Sequence, residues 1–349
     1  MTKNLFRFLY LHLITRHKLL YMLKRRISAD GLSFYPEFSG KVSIYKLCLL
    51  FIKQMPERNI ALVPDYICNV VCLAVERAGY NILPYSTDEM LEPNIDEIHS
   101  ILLSNSNVGV LLTASIFGSS ALLPDLQKNA IKEFILDKNI KVIVDLCQDI
   151  NLINDIPKDY GKNMCCIVSF NDKSFFGAMG GGIISSFSIN EYQKKLTFGN
   201  TIRLYLWVIN KINVLYLFPK VGIYKKPIPS TSIEPVKYEF GYCLSFPWTF
   251  EEVRIAKIQI ILAIIGIDNL TLFNSAKKKL VAIDKLVIKT KNISTAPFAP
   301  IFNWPGNNWK CINTKRKIKP SYALHNTPTV SLRPDLVILH NKGYFDEVQ

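Results

Sequence analysis

Apolar positions in the first half of the chain fall into two alternating patterns, one of helical spacing and one of short unbroken runs. Helical periodicity covers 42–53, and a short apolar run of strand type follows at 60–63. The alternation continues with a helix over 68–79 that ends at Gly79, a strand over 81–85 and a helix over 94–103. A strand over 108–113, a helix over 122–137 and a strand over 140–144 complete the series. Strands that alternate with helices predict a mainly parallel sheet with helices on both faces. Pro64 and Gly118 lie just past strand ends, where they break regular structure and leave loops to line a site.

The flanking segments read differently. Residues 4–26 interleave leucine, phenylalanine and isoleucine with Arg7, Arg16, Lys18, Lys24, Arg25 and Arg26. Charge interrupts the apolar run too often for a membrane span, and no small-residue cleavage site follows. A basic amphipathic helix remains, with two outlets for its apolar side: packing on the domain or a second subunit, or an anionic membrane surface. Residues 201–224 and 250–266 are apolar and helical in type, the second too short to cross a bilayer and therefore a core or dimer helix. Pro227, Pro229, Ser230, Thr231 and Ser232 have linker composition. The expected division is a basic N-terminal segment at 1–30, a large domain at 31–228 and a smaller α+β C-terminal domain at 229–349.

At 349 residues, 49% hydrophobic and 20% charged, the chain has the composition of a folded protein large enough for more than one core. The eight cysteines form no CxxC pair and no histidine stands at ligand spacing to them, so they read as free thiols in a reducing, cytoplasmic compartment, with no metal site. The formal charge of +14 favours acidic partners such as phosphorylated substrates or anionic lipid. No nucleic-acid motif accompanies it, and no nucleic-acid partner is expected. Trp304 and Trp309 stand among basic residues in the tail, a pattern open to nucleotide stacking or to an ordinary amphipathic surface with its aromatics turned inward.

Candidate chemistry concentrates between 141 and 186. An apolar strand ends in Asp145, with Cys147 and Gln148 after it; a second strand ends at Ser169, four residues before Lys173; Gly180, Gly181 and Gly182 precede a third. A carboxylate and a lysine just past buried strands come to one edge of one sheet, where open α/β sheets carry their chemistry. Pyridoxal phosphate (PLP) needs a lysine for its aldehyde and an acid for its pyridinium nitrogen, and Lys173 and Asp145 fill those roles. Gln148 is placed to hydrogen-bond the ring or phosphate edge, and Ser169 to cap a phosphate oxygen. The glycine run lets backbone pass close to a ligand. Taken singly, an aspartate at a strand end or a lysine in a loop is more often solvated than catalytic.

Six segments in order resemble the sugar-nucleotide aminotransferase family of fold-type I PLP-dependent enzymes. They are Ser39-Gly40-Lys41-Val42-Ser43, Leu62 to Cys68, Ala78-Gly79-Tyr80, Ser115 to Gly118, Asp145 to Gln148, and Ser169 to Lys173 with the glycine run. The resemblance covers about residues 32–186. It implies a fold-type I large domain with a mainly parallel seven-stranded sheet, and a homodimer. It also implies PLP, with Asp145 on the pyridinium, Gln148 nearby, Ser169 and the Ser39-Gly40 turn on the phosphate, Lys41 and Tyr66 lining the cofactor, and Lys173 as its covalent anchor. The implied activity moves an amino group from an amino-acid donor to a nucleotide-linked keto-sugar, in surface-polysaccharide or amino-sugar biosynthesis. The alternative is a protein that keeps the fold without the catalysis, as a binding or membrane-associated partner in polysaccharide assembly. The chain departs from the family in a shorter serine-to-lysine spacing, in Lys41 where threonine is common, and in Ser115 where histidine is common.

Overall fold

The computed structural model describes residues 2–27, 31–88, 91–116, 119–170, 180–189, 195, 198–199, 201–202, 204–205 and 254–268, and the strand backbones at 298–302, 309–311, 316–317, 336–340 and 345–347. Seven strands, β1 (Ser33–Glu37), β2 (Ile60–Pro64), β3 (Asn81–Tyr85), β4 (Val108–Ala114), β5 (Lys141–Asp145), β6 (Met164–Ser169) and β7 (Gly181–Ser185), form one sheet in the order β1-β7-β6-β5-β4-β2-β3. β7 pairs antiparallel with both neighbours, and the remaining pairings are parallel. This is the expected mainly parallel seven-stranded sheet. Its central strands β4 and β5 are buried along their whole length, as parallel strands covered on both faces must be. Pro36 and Pro84 sit in the two edge strands, where a missing amide donor costs no ladder bond.

The helices between strands follow the sequence pattern closely. α3 (Gly40–Gln54) and α4 (Asn69–Arg77) pack against the sheet through Ile44, Leu47, Phe51, Val71 and Val75. α4 ends as its sequence dictates. Gly79 takes φ +103, its amide bonds Glu76 O, and Tyr80 N bonds Val75 O, which satisfies two carbonyls of the last turn. α5 (Ile95–Ser104) starts at Asn94, whose side chain accepts from Glu97 N. The single helix expected over 122–137 is two, α6 (Leu123–Leu126) and α7 (Asn129–Asp137), because Lys128 takes an extended conformation between them.

The expected N-terminal helix is also two, α1 (Thr2–Leu13) and α2 (Arg16–Ile27). Thr15 makes the break: its Oγ1 accepts from Lys18 N at 3.4 Å and its carbonyl from Leu19 N at 3.0 Å, so it caps a new helix. Both pack on α8 (Lys257–Asp268), whose residues from Ile258 to Gly266 are all buried. Lys257 Nζ donates to His12 O and Arg16 to Ile255 O at one end of α8, while Arg7 and Arg26 both pair with Asp268 at the other. α1 therefore runs opposite to α8 and α2 alongside it in the same direction, so the two form an antiparallel hairpin. The helix expected over 250–266 is used inside the subunit, in one core with Leu11, Leu19, Leu23 and Phe170.

Further along, β8 (Phe298–Phe302) pairs antiparallel with β11 (Leu336–His340), and β9 (Trp309–Cys311) lies between β10 (Arg316–Lys317) and β12 (Phe345–Glu347). The linker at 227–232 and Trp304 lie outside the described residues, as does most of the 201–224 helix. Six cysteines are described as free thiols, and burial pushes Cys48 up to about 12.

Candidate active site

The parallel strands β2, β4, β5 and β6 end side by side at Pro64, Ala114, Asp145 and Ser169, and α3 starts over the same edge. Register sets the first contact. Ala114 pairs with Asp145, so Ser115, one residue on, donates its amide to Asp145 O at 2.9 Å. The Asp145 side chain is only 7% exposed, and its Oδ1 accepts from Cys147 N at 2.8 Å. That bond fixes the carboxylate just past the strand end.

The second contact brings the start of α3 onto this edge. A methyl group on Gly40 would lie 3.2 Å from both Cys147 Sγ and Ser169 Cβ, and 3.6 Å from Ser169 Oγ. Ser39, Gly40, Cys147 and Ser169 thus meet where the absence of a side chain lets them. Ser39 Oγ accepts from Val42 N at 3.3 Å and caps the helix, leaving the hydroxyl hydrogen to donate. The positive end of the helix dipole lies at this start, so the place is suited to an anion.

Lys41 follows Gly40 and is 9% exposed. Burial, with the nearby Arg77 charge as the lesser cause, draws its pKa down to about 8. Tyr66, two residues past β2, is 1% exposed in the core layer that holds Ile44, Ile67 and Ile167. Gln148, three residues beyond Asp145, is buried. Lys173 lies outside the described residues; of those that flank it, Phe170 N donates to Gly180 O at 2.8 Å. The structure therefore brings Asp145, Ser169, Ser39 and Gly40 together, and places Lys41, Tyr66 and Gln148 around the same edge.

Two features take on a part that the sequence reading did not assign them. Ser115 Oγ is buried with no hydrogen-bond partner among the described residues, at the end of β4 beside Asp145. Its signal was the register: the residue after β4 had to fall next to the residue after β5. The glycine run also does different work. The close approach it permits is of the chain to itself, with Gly181 against Gly40 N and Val168 O, and Gly182 against Phe34 and Tyr35 O.

These residues fit PLP on the structure's own terms. A buried carboxylate, a helix start with a glycine cradle and an adjacent serine, and an orphaned hydroxyl lie on one edge. No protein-family model matches the chain, and no curated protein matches it. Solved structures do. PseC of Helicobacter pylori, an aminotransferase involved in the biosynthesis of pseudoaminic acid, superposes with a TM-score of 0.52 at 11% identity, over 86% of this chain and 74% of that one. The sugar aminotransferase CalS13 from Micromonospora echinospora superposes with a TM-score of 0.50 at 12% identity, over 82% of this chain and 72% of that one. The fold is that of the fold-type I PLP-dependent transferases, sugar aminotransferases among them.

Proposed function

We propose that the protein is a PLP-dependent aminotransferase that moves an amino group from an amino-acid donor to a nucleotide-linked keto-sugar, in surface-polysaccharide or amino-sugar biosynthesis. The observation that carries this reading is the meeting of Asp145, Ser169 and the Ser39-Gly40 helix start on one sheet edge, in a fold shared with sugar aminotransferases. When bound, PLP supplies an electron sink that no side chain offers. Asp145 would hold the proton on the ring nitrogen, and its backbone-fixed carboxylate is suited to that task. Ser169 and the start of α3 would bind the phosphate, with Lys41 adding charge. Gln148 and Tyr66 would orient the ring. Lys173 would anchor the cofactor and, once displaced by the donor amine, take the proton from the donor's α-carbon.

Free buried thiols support action in the cytoplasm. A homodimer belongs to the same reading and rests on the resemblance, since α8 spends its apolar surface inside the subunit. The test is spectroscopic. Purified protein mixed with PLP should develop an absorbance band near the visible edge that borohydride removes, and Lys173→Ala should not. A protein that stays colourless with added PLP would overturn the aminotransferase reading and leave a fold kept for binding.

A further inference from the structure

We infer that the outer face of the α1–α2 hairpin docks on a membrane surface that carries anionic phospholipid. The inner faces of both helices are used by the core, where Leu11, Leu19, Leu23 and Ile27 are buried in the cluster that also holds α8. The outer face of α1 is apolar as well. Phe6, Leu9, Tyr10 and Leu13 fall at i, i+3, i+4 and i+7, one stripe of the helix, and are 70%, 54%, 62% and 85% exposed. A helix apolar on both sides is normally covered on both, so this stripe calls for a partner.

Charge selects which partner. α2 turns Lys18, Tyr21 and Arg25 outward, with the Arg25 guanidinium 5.9 Å from the Tyr21 ring centroid. No aspartate or glutamate occurs before Asp30. The acidic group that α8 sets against the hairpin, Asp268, is matched by Arg7 and Arg26. A two-fold dimer through this face would set a basic surface against its own copy, which like charge opposes. An anionic bilayer surface meets both demands. Leucine and aromatic side chains enter the boundary between headgroups and acyl chains, tyrosine is at home at that depth, and the cations rest on the headgroups. Each helix has 12 residues, hence about 18 Å of length against the ~30 Å of a bilayer core, so the hairpin lies on the surface and does not cross it.

This inference stands apart from the aminotransferase reading, and its experiment uses vesicles in place of substrate. The full-length protein should float with phosphatidylcholine vesicles that contain phosphatidylglycerol, not with phosphatidylcholine alone, and added salt should release it. Lys18→Glu and Arg25→Glu should each lower the partition coefficient by roughly fivefold or more. Leu13→Glu should lower it by roughly tenfold. Lys53→Glu, an exposed reversal on α3, should leave binding nearly unchanged. The substituted side chains are exposed, so melting temperatures should match the parent; Phe6→Glu replaces Leu13→Glu if that variant melts early. Absence of flotation with anionic vesicles overturns the proposal. So does an equal response to Lys53→Glu and Lys18→Glu, which would reduce the effect to net charge. Light scattering in which Leu13→Glu converts a dimer to a monomer would assign the stripe to a second copy instead.

Discussion

Asp145 is asked to do two things by one carboxylate. Its Oδ1 already accepts from Cys147 N, a local bond that an asparagine oxygen makes equally well. The proposed function adds a demand asparagine cannot meet, a negative charge to keep a ring nitrogen protonated. Asp145→Asn should therefore leave the urea midpoint almost unchanged and still take up PLP, while transamination falls by several orders of magnitude in a single-turnover assay with an amino-acid donor such as glutamate. An unchanged rate would strip Asp145 of the role assigned to it. Residues of this kind were legible because strand ends can be counted from the pattern: Asp145 and Ser169 each close an apolar run, and Ser39 precedes a helical one. Ser115 was not legible as a site residue, since a serine gains its place there only from the register of β4 on β5. Lys41 was legible as a departure, but its lowered pKa comes from burial that composition does not reveal.

At the level of elements, the start of α3 and the start of β7 hold each other in place. Gly181 sits so close to its surroundings that a methyl group there would lie 2.5 Å from Val168 O and 2.7 Å from Gly40 N, both backbone atoms with no freedom to yield. Gly181→Ala should therefore cost about 3 kcal/mol or more, read from the shift in urea midpoint, since overpacking against backbone cannot be relieved by a rotamer change. A loss below about 1 kcal/mol would show that the contact is slack. The glycine run was readable as a place of close approach, but not as an approach of the chain to itself, because its partners at 34–40 are distant in sequence and are brought there by β1 pairing with β7. The two breaks that pattern reading missed have the same local character. Thr15 restarts a helix through its own side chain and carbonyl, and Lys128 interrupts one by a single extended residue; neither changes the spacing of apolar positions on which the reading relied.

Over the whole molecule, the alternation of runs was enough to foretell a mainly parallel sheet with helices on both faces, because parallel strands need crossovers and crossovers leave a period in the sequence. The packing of the ends left no such period. Whether 250–266 served a core or an interface, and whether the N-terminal segment joined the domain, depended on which apolar faces met, and the structure joins the two segments to each other. That union carries the last prediction. Leu11, Leu19, Leu23 and Ile27 are at most 2% exposed, and full burial of such side chains contributes about 1.5–3 kcal/mol each, or about 6–12 kcal/mol together. A domain's entire stability is about 5–15 kcal/mol. Removal of residues 1–27 would also uncover part of the buried surface of α8 and take away both cations that Asp268 pairs with. The shortened chain should therefore lose a cooperative urea transition and aggregate, even though the outward stripe of Phe6, Leu9, Tyr10 and Leu13 contributes nothing to that loss. A shortened chain that unfolds cooperatively near the parent midpoint would mean that the hairpin is an appendage, and that the core beneath it closes without it.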